Sequence, residues 1–139
     1  MISVPSGLRE AALTLARVAL GVTFMAHGYM HTNMVGKAKN VAGFEQMGVP
    51  LPELSYYAQS AACWVGGFLL IIGLLQPLVG VVLAASMAGA WILAHGGGEF
   101  FVSKGGPELV LVLGTTALAI GFAGGRWSVD GLLASRRAG

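Results

Sequence analysis

Three histidines and a few carboxylates hold most of the chemistry this chain can offer. His27 and His31 are four residues apart, so a helix stacks them on one face. His95 and Glu99 repeat that spacing, Glu108 directly follows Pro107, and Tyr56, Gln59 and Cys63 share a face at helical spacing. Such groups suit three kinds of ligand. A metal ion would draw on His27, His31, His95 and Glu99 or Glu108, a donor set fitting zinc, iron or manganese. No HExxH or ExxH element accompanies them. A haem would be held between His27 and His95. A quinone or similar lipophilic molecule would be held in an apolar pocket near Phe24, Trp91 and Phe100. Its polar contacts would come from Arg17, His27, His31, Tyr56, Gln59, His95 and Glu108. Against all three stands a plain structural reading. The polar side chains then only join helices, and Glu108 complements a helix N-terminus.

The elements that position these residues follow from composition. Apolar residues make up 55% of the 139 and charged residues only 10%. Soluble domains carry about 25% charged residues, so lipid is expected to cover much of this surface. From Leu54 to Gly98 there is no Asp, Glu, Lys or Arg, which suits two spans of roughly 20 residues joined at Gln76-Pro77. The expected fold is an all-α membrane protein, a bundle of four transmembrane helices in a single domain over residues 1–139. Its spans are placed at about 8–31, 54–75, 77–95 and 107–124. Pro77 and Pro107 suit helix starts, and Gly124-Gly125 a stop. Between the first two spans, Val41, Phe44 and Met47 form one face of a short interfacial helix. The first apolar run exceeds a signal peptide's core and contains Arg17, so it reads as a retained helix.

Four spans place both termini on one side, with Arg9, Arg126, Arg136 and Arg137, against Lys37, Lys39 and Lys104 on the other. The positive-inside rule then favours cytoplasmic termini. All three histidines, Glu99 and Glu108 fall on the side away from the termini. The terminal side reads as basic and plain, with Arg17 as the one deep polar group and no carboxylate at its depth. Small residues recur at four-residue spacing: Ala58, Ala62 and Gly66; Gly80, Ala84 and Ala88; Ala117, Gly121 and Gly125; and Ala19 and Thr23 leading to His27 and His31. Such rows let helices approach closely in lipid. The basic residues are scattered, which argues against nucleic acid. The lone Cys63 allows no internal disulfide and no CxxC chemistry, and it reads as an inert buried thiol.

In order and spacing the chain resembles DoxX family membrane proteins from Arg17 to Leu133. The matching pieces are Arg17-Val18-Ala19-Leu20-Gly21, Phe24, His27-Gly28, Phe44, Gly48-Val49-Pro50, Gly66-Gly67-Phe68-Leu69-Leu70, Gly73-Leu74-Leu75, His95, Phe100-Phe101, Pro107-Glu108 and Gly125-Arg126-Trp127-Ser128-Val129-Asp130. The resemblance implies a four-helix protein of the bacterial cytoplasmic membrane. Its relatives include subunits of thiosulfate:quinone oxidoreductase, and others associate with superoxide dismutase and a sulfurtransferase in oxidative-stress defence. Two departures stand out: Cys63 replaces a frequent glutamate, and His31 a frequent lysine. Two functions are therefore expected. One is a redox-linked membrane subunit binding a quinone-like ligand and served by a peripheral oxidoreductase or sulfurtransferase. The other is a non-catalytic scaffold, which a homo-oligomer would also suit.

Overall fold

The computed structural model describes residues 4–138, and among these every regular element is a helix. Helix α1 runs over Ser6–Val35, its last stretch, Met30–Val35, wound as a π-helix. Then come α2 (Lys37–Gln46), α3 (Pro52–Ile72), α4 (Gln76–Ala94), α5 (Glu108–Ala123) and α6 (Val129–Arg137). Three of these, α1, α3 and α4, are long and apolar enough to cross a membrane. Helix α5 is apolar but has only 16 residues, short of the roughly 20 that a span ordinarily needs. The expected boundaries hold to within a few residues. The break at Gln76-Pro77 is a turn in which Gly73 and Leu75 are left-handed and Pro77 lies in the first turn of α4. A short helix, α2, stands where an interfacial element was expected, while α6 was not foreseen.

Two helix pairs make the body. α1 packs on α3, and α4 packs along α5. Backbones touch at both crossings: a Cβ on Gly21 would lie 2.6 Å from Gly67 O, and one on Gly80 2.7 Å from Ala117 O. The small-residue rows are therefore present at Gly80, Ala117 and Gly121, but the row on α1 differs from expectation. Ala19 is exposed, and the packing face runs through Leu20, Gly21, Phe24 and Gly28. Within α3, a second π-helical stretch at Ala62–Gly66 shifts the helical register. Its first part turns Gln59 inward, while Gly67 beyond it meets α1.

The core is a single apolar cluster including Leu20, Phe24, Leu70, Leu83 and Ala117. The outside is apolar too, with Leu15 at 72% and Ile92 at 75% exposure. The buried set meanwhile includes Glu10, Arg17, Asn40, Ser60 and Gln76. Apolar faces outward and polar groups inward are what lipid, not water, favours. Helix α2 is fastened at its start by an exposed Lys37–Glu53 ion pair, and the Lys37 ammonium also lies 4.9 Å above the Tyr57 ring. The hydrogen bond to Glu53, and then that to Tyr57, raise the Lys37 pKa above the ordinary lysine value.

Candidate functional site

At the end where α1 and α4 finish, the helices enclose an open space, with α2 packed on α3 and on the end of α1. The result is a cavity of about 770 Å³ with walls from all five helices α1 to α5. Ligand sites usually fall between about 300 and 1,000 Å³. Phe24, Phe44, Met87 and Leu113 supply apolar wall, and His27, His31 and His95 line it from α1 and from the end of α4. Val35, Val82, Leu93 and Leu109 line the cavity and are also exposed, so it communicates with the apolar outer surface.

Each histidine is held by its Nδ1. His27 Nδ1 lies 2.9 Å from Thr23 O, and His95 Nδ1 lies 3.0 Å from Ala90 O. His31 Nδ1 lies 2.8 Å from Asn40 Oδ1. Asn40 is buried, and its Nδ2 donates to His31 O and Gly36 O, each at 2.8 Å. Both amide hydrogens are thereby used, which leaves Oδ1 to face His31 as an acceptor. On α3 and α4, Ser86 Oγ donates to Gln59 Oε1, and Gln59 Nε2 donates to Cys63 Sγ at 3.7 Å. Cys63 is 1% exposed and forms part of the wall.

The structure thus brings His27, His31, Gln59 and His95 to one cavity and leaves the other sequence candidates outside it. Tyr56 is buried with its ring edge-on to Tyr57 at 5.3 Å. Glu108 accepts from Val102 N at 3.0 Å and so closes the loop before α5. Glu99 pairs with Lys104 at 2.7 Å, with both exposed. Among the described residues, no three His, Cys, Asp or Glu side chains gather as a metal would require. Asn40 and Ser86 were missed. Asn40 lies one turn before Phe44, so the periodicity that marked α2's inner face also reaches Asn40.

The terminal end is not plain, and Arg17 belongs to it rather than to the cavity. Arg17 is 4% exposed, and its Nη2 donates to Trp127 O at 2.8 Å. Glu10 and Asp130 are close enough to act on its charge. Glu10 Oε2 accepts from Arg126 N at 2.6 Å. Asp130 spans the start of α4, accepting from Leu75 N at 2.9 Å and Gln76 N at 2.8 Å. A Cβ on Gly73 would lie 2.6 Å from Arg17 Nη1, so glycine makes room for the guanidinium. Carboxylates at this depth do exist, but they come from the beginning of α1 and from the tail. The segment 125–130 works as a clasp across the ends of α1, α3 and α4.

A family model described as DoxX matches residues 12–96, more than half of the chain. The chain belongs to the DoxX family. The matched stretch carries all three cavity histidines, Asn40 and the α1–α3 crossing, whereas α5 and the clasp lie beyond it. With its apolar helices, this makes the chain a membrane protein. A Bacillus subtilis (strain 168) protein named "Putative oxidoreductase CatD" is 29% identical over 118 residues, 85% of this chain and 83% of that protein. No solved structure matches the chain.

Proposed function

We propose that this DoxX-family chain is a membrane subunit of redox metabolism that binds a lipophilic aromatic redox molecule, of the quinone and quinol type, between its two helix pairs. The observation that carries this reading is the cavity of about 770 Å³, apolar in most of its wall and lined by three histidines. Its size suits a ring with part of an isoprenoid tail. Exposed apolar residues at its margin offer a route from the bilayer. The oxidoreductase in the relative's name agrees with the redox part of the proposal.

The same proposal takes α5 as the fourth span. At 1.5 Å per residue its 16 residues cover about 24 Å. Apolar Phe100, Phe101 and Val102 precede it, and it packs along the full-length α4. A short span is accommodated by local thinning of the bilayer. Both termini then lie on the cytoplasmic side of a bacterial inner membrane, where a peripheral oxidoreductase or sulfurtransferase would meet them.

Binding of decyl-ubiquinone and decyl-ubiquinol to the detergent-purified protein tests the reading, with an Ala90→Trp variant alongside. Ala90 lines the cavity, and a tryptophan there fills part of it. Binding by the wild type, weakened at least tenfold in the folded variant, is expected. No binding of either form by folded wild type overturns the proposal.

A further inference from the structure

The hydrogen-bond pattern around the histidines narrows the ligand further, resting on the reading just given. All three Nδ1 atoms face oxygen atoms that can only accept: Thr23 O, Ala90 O and Asn40 Oδ1. Each Nδ1 must therefore carry its ring's proton. In the neutral imidazole this leaves Nε2 as a bare acceptor. Among the described residues, no protein group donates to any of the three Nε2 atoms.

Metal-binding histidines are oriented by the same kind of bond, but here the rings do not gather around one point. Spaced acceptors in an apolar wall suit a ligand with spaced donors. Most other polar side chains of the wall are already engaged: Asn40 with two carbonyls, Ser55 with Pro50 O, and Ser86 with Gln59. Lys39, exposed at the margin, is the charged donor of the lining. The end of α4 at Ala94 also belongs to the lining. A helix C-terminus carries partial negative charge and favours donors.

We propose that the cavity selects hydroxyl-bearing aromatic ligands, binding the reduced hydroquinone form in preference to the oxidised quinone. A quinone offers only carbonyl acceptors, which meet the Nε2 lone pairs unfavourably. A hydroquinone offers two O–H donors on a ring of nearly the same shape and apolar area. The protein would then act as a site that captures or retains the reduced form.

The test compares three ligands with the same ring and tail under anaerobic conditions at neutral pH: decyl-ubiquinol, decyl-ubiquinone, and the dimethyl ether of the quinol, which is two methyl groups larger and has no donor. Wild type is expected to bind the quinol at least tenfold more tightly than the other two, a difference of about 1.4 kcal/mol. The preference should shrink in His27→Leu and in His95→Leu, while Glu99→Gln, outside the cavity, should leave it intact. Equal binding of all three ligands overturns this inference while leaving the ligand-binding proposal standing. Tighter quinone binding that Lys39→Met abolishes also overturns it, because the rim lysine would then set the selectivity. The wild-type ratio decides the matter even if a histidine variant fails to fold.

Discussion

Replacing Asp130 with alanine removes both carboxylate oxygens from the start of α4. Leu75 N lies at the surface, and water takes over there, so that bond contributes about 0.5–1 kcal/mol. Gln76 N is partly buried, and leaving such a donor unpaired costs about 1–3 kcal/mol. A lost helix cap alone costs about 0.5–2 kcal/mol, which is consistent with a combined loss of about 2–3 kcal/mol. Leu75 adds to the demand, because it holds a left-handed conformation at φ 54° that the carboxylate helps to fix. For a chain of this length, roughly 3–5 °C of melting temperature accompanies each kcal/mol. Thermal unfolding in detergent, followed by circular dichroism, is therefore expected to fall by about 10 °C in Asp130→Ala. Asp130→Asn keeps one acceptor and should lose about half as much. Quinol affinity should not change at temperatures where the variant is folded, because the cavity lies at the other end of the bundle. A melting temperature within 2 °C of wild type, or an Asn variant less stable than the Ala variant, would refute the clasp.

Other consequences follow from contacts at the crossings and around the cavity. Gly21→Ala drives a methyl to 2.6 Å from Gly67 O, a backbone atom that cannot swing aside, and should cost about 1–3 kcal/mol in the same melting assay. Asn40→Ala removes two side-chain hydrogen bonds, to His31 O and Gly36 O, which each keep one backbone donor, and it frees the His31 ring. It should destabilise by about 1–3 kcal/mol and speed proteolysis within Lys37–Gln46. Cys63, at 1% exposure, should resist a bulky maleimide in folded protein and react fully after unfolding; rapid labelling of folded protein would contradict its burial.

Helix positions were legible because hydropathy, prolines and glycines mark them locally. The break between α3 and α4 is written in Gly73 and Pro77, and the inner face of α2 in part in the spacing of Phe44 and Met47, whereas Val41 faces away from the cavity. The cavity was legible in part. Depth along each helix placed three histidines, Glu99 and Glu108 in one layer, and of these the histidines line one space. Depth alone does not tell which residues of a layer face inward, so Tyr56 and Glu108 were assigned to the same site and lie outside it. The clasp was not legible. It joins Glu10 to Arg126 and Arg17 to Trp127 across more than 100 residues, and no local pattern records such a meeting. The unforeseen α6 brings Asp130 to the head of α4, which turned an apparently plain end into a buried polar one.

Photoaffinity mapping with an azido-substituted quinol analogue tests the central claim most directly. Cross-links are expected on α1 near His27, on α3 near Gln59 and Cys63 and on α4 near His95, all suppressed by excess decyl-ubiquinol. Labelling confined to the clasp at 125–130 or to the outer surface, or labelling that excess ligand leaves unchanged, would contradict the assignment of this cavity as the ligand site.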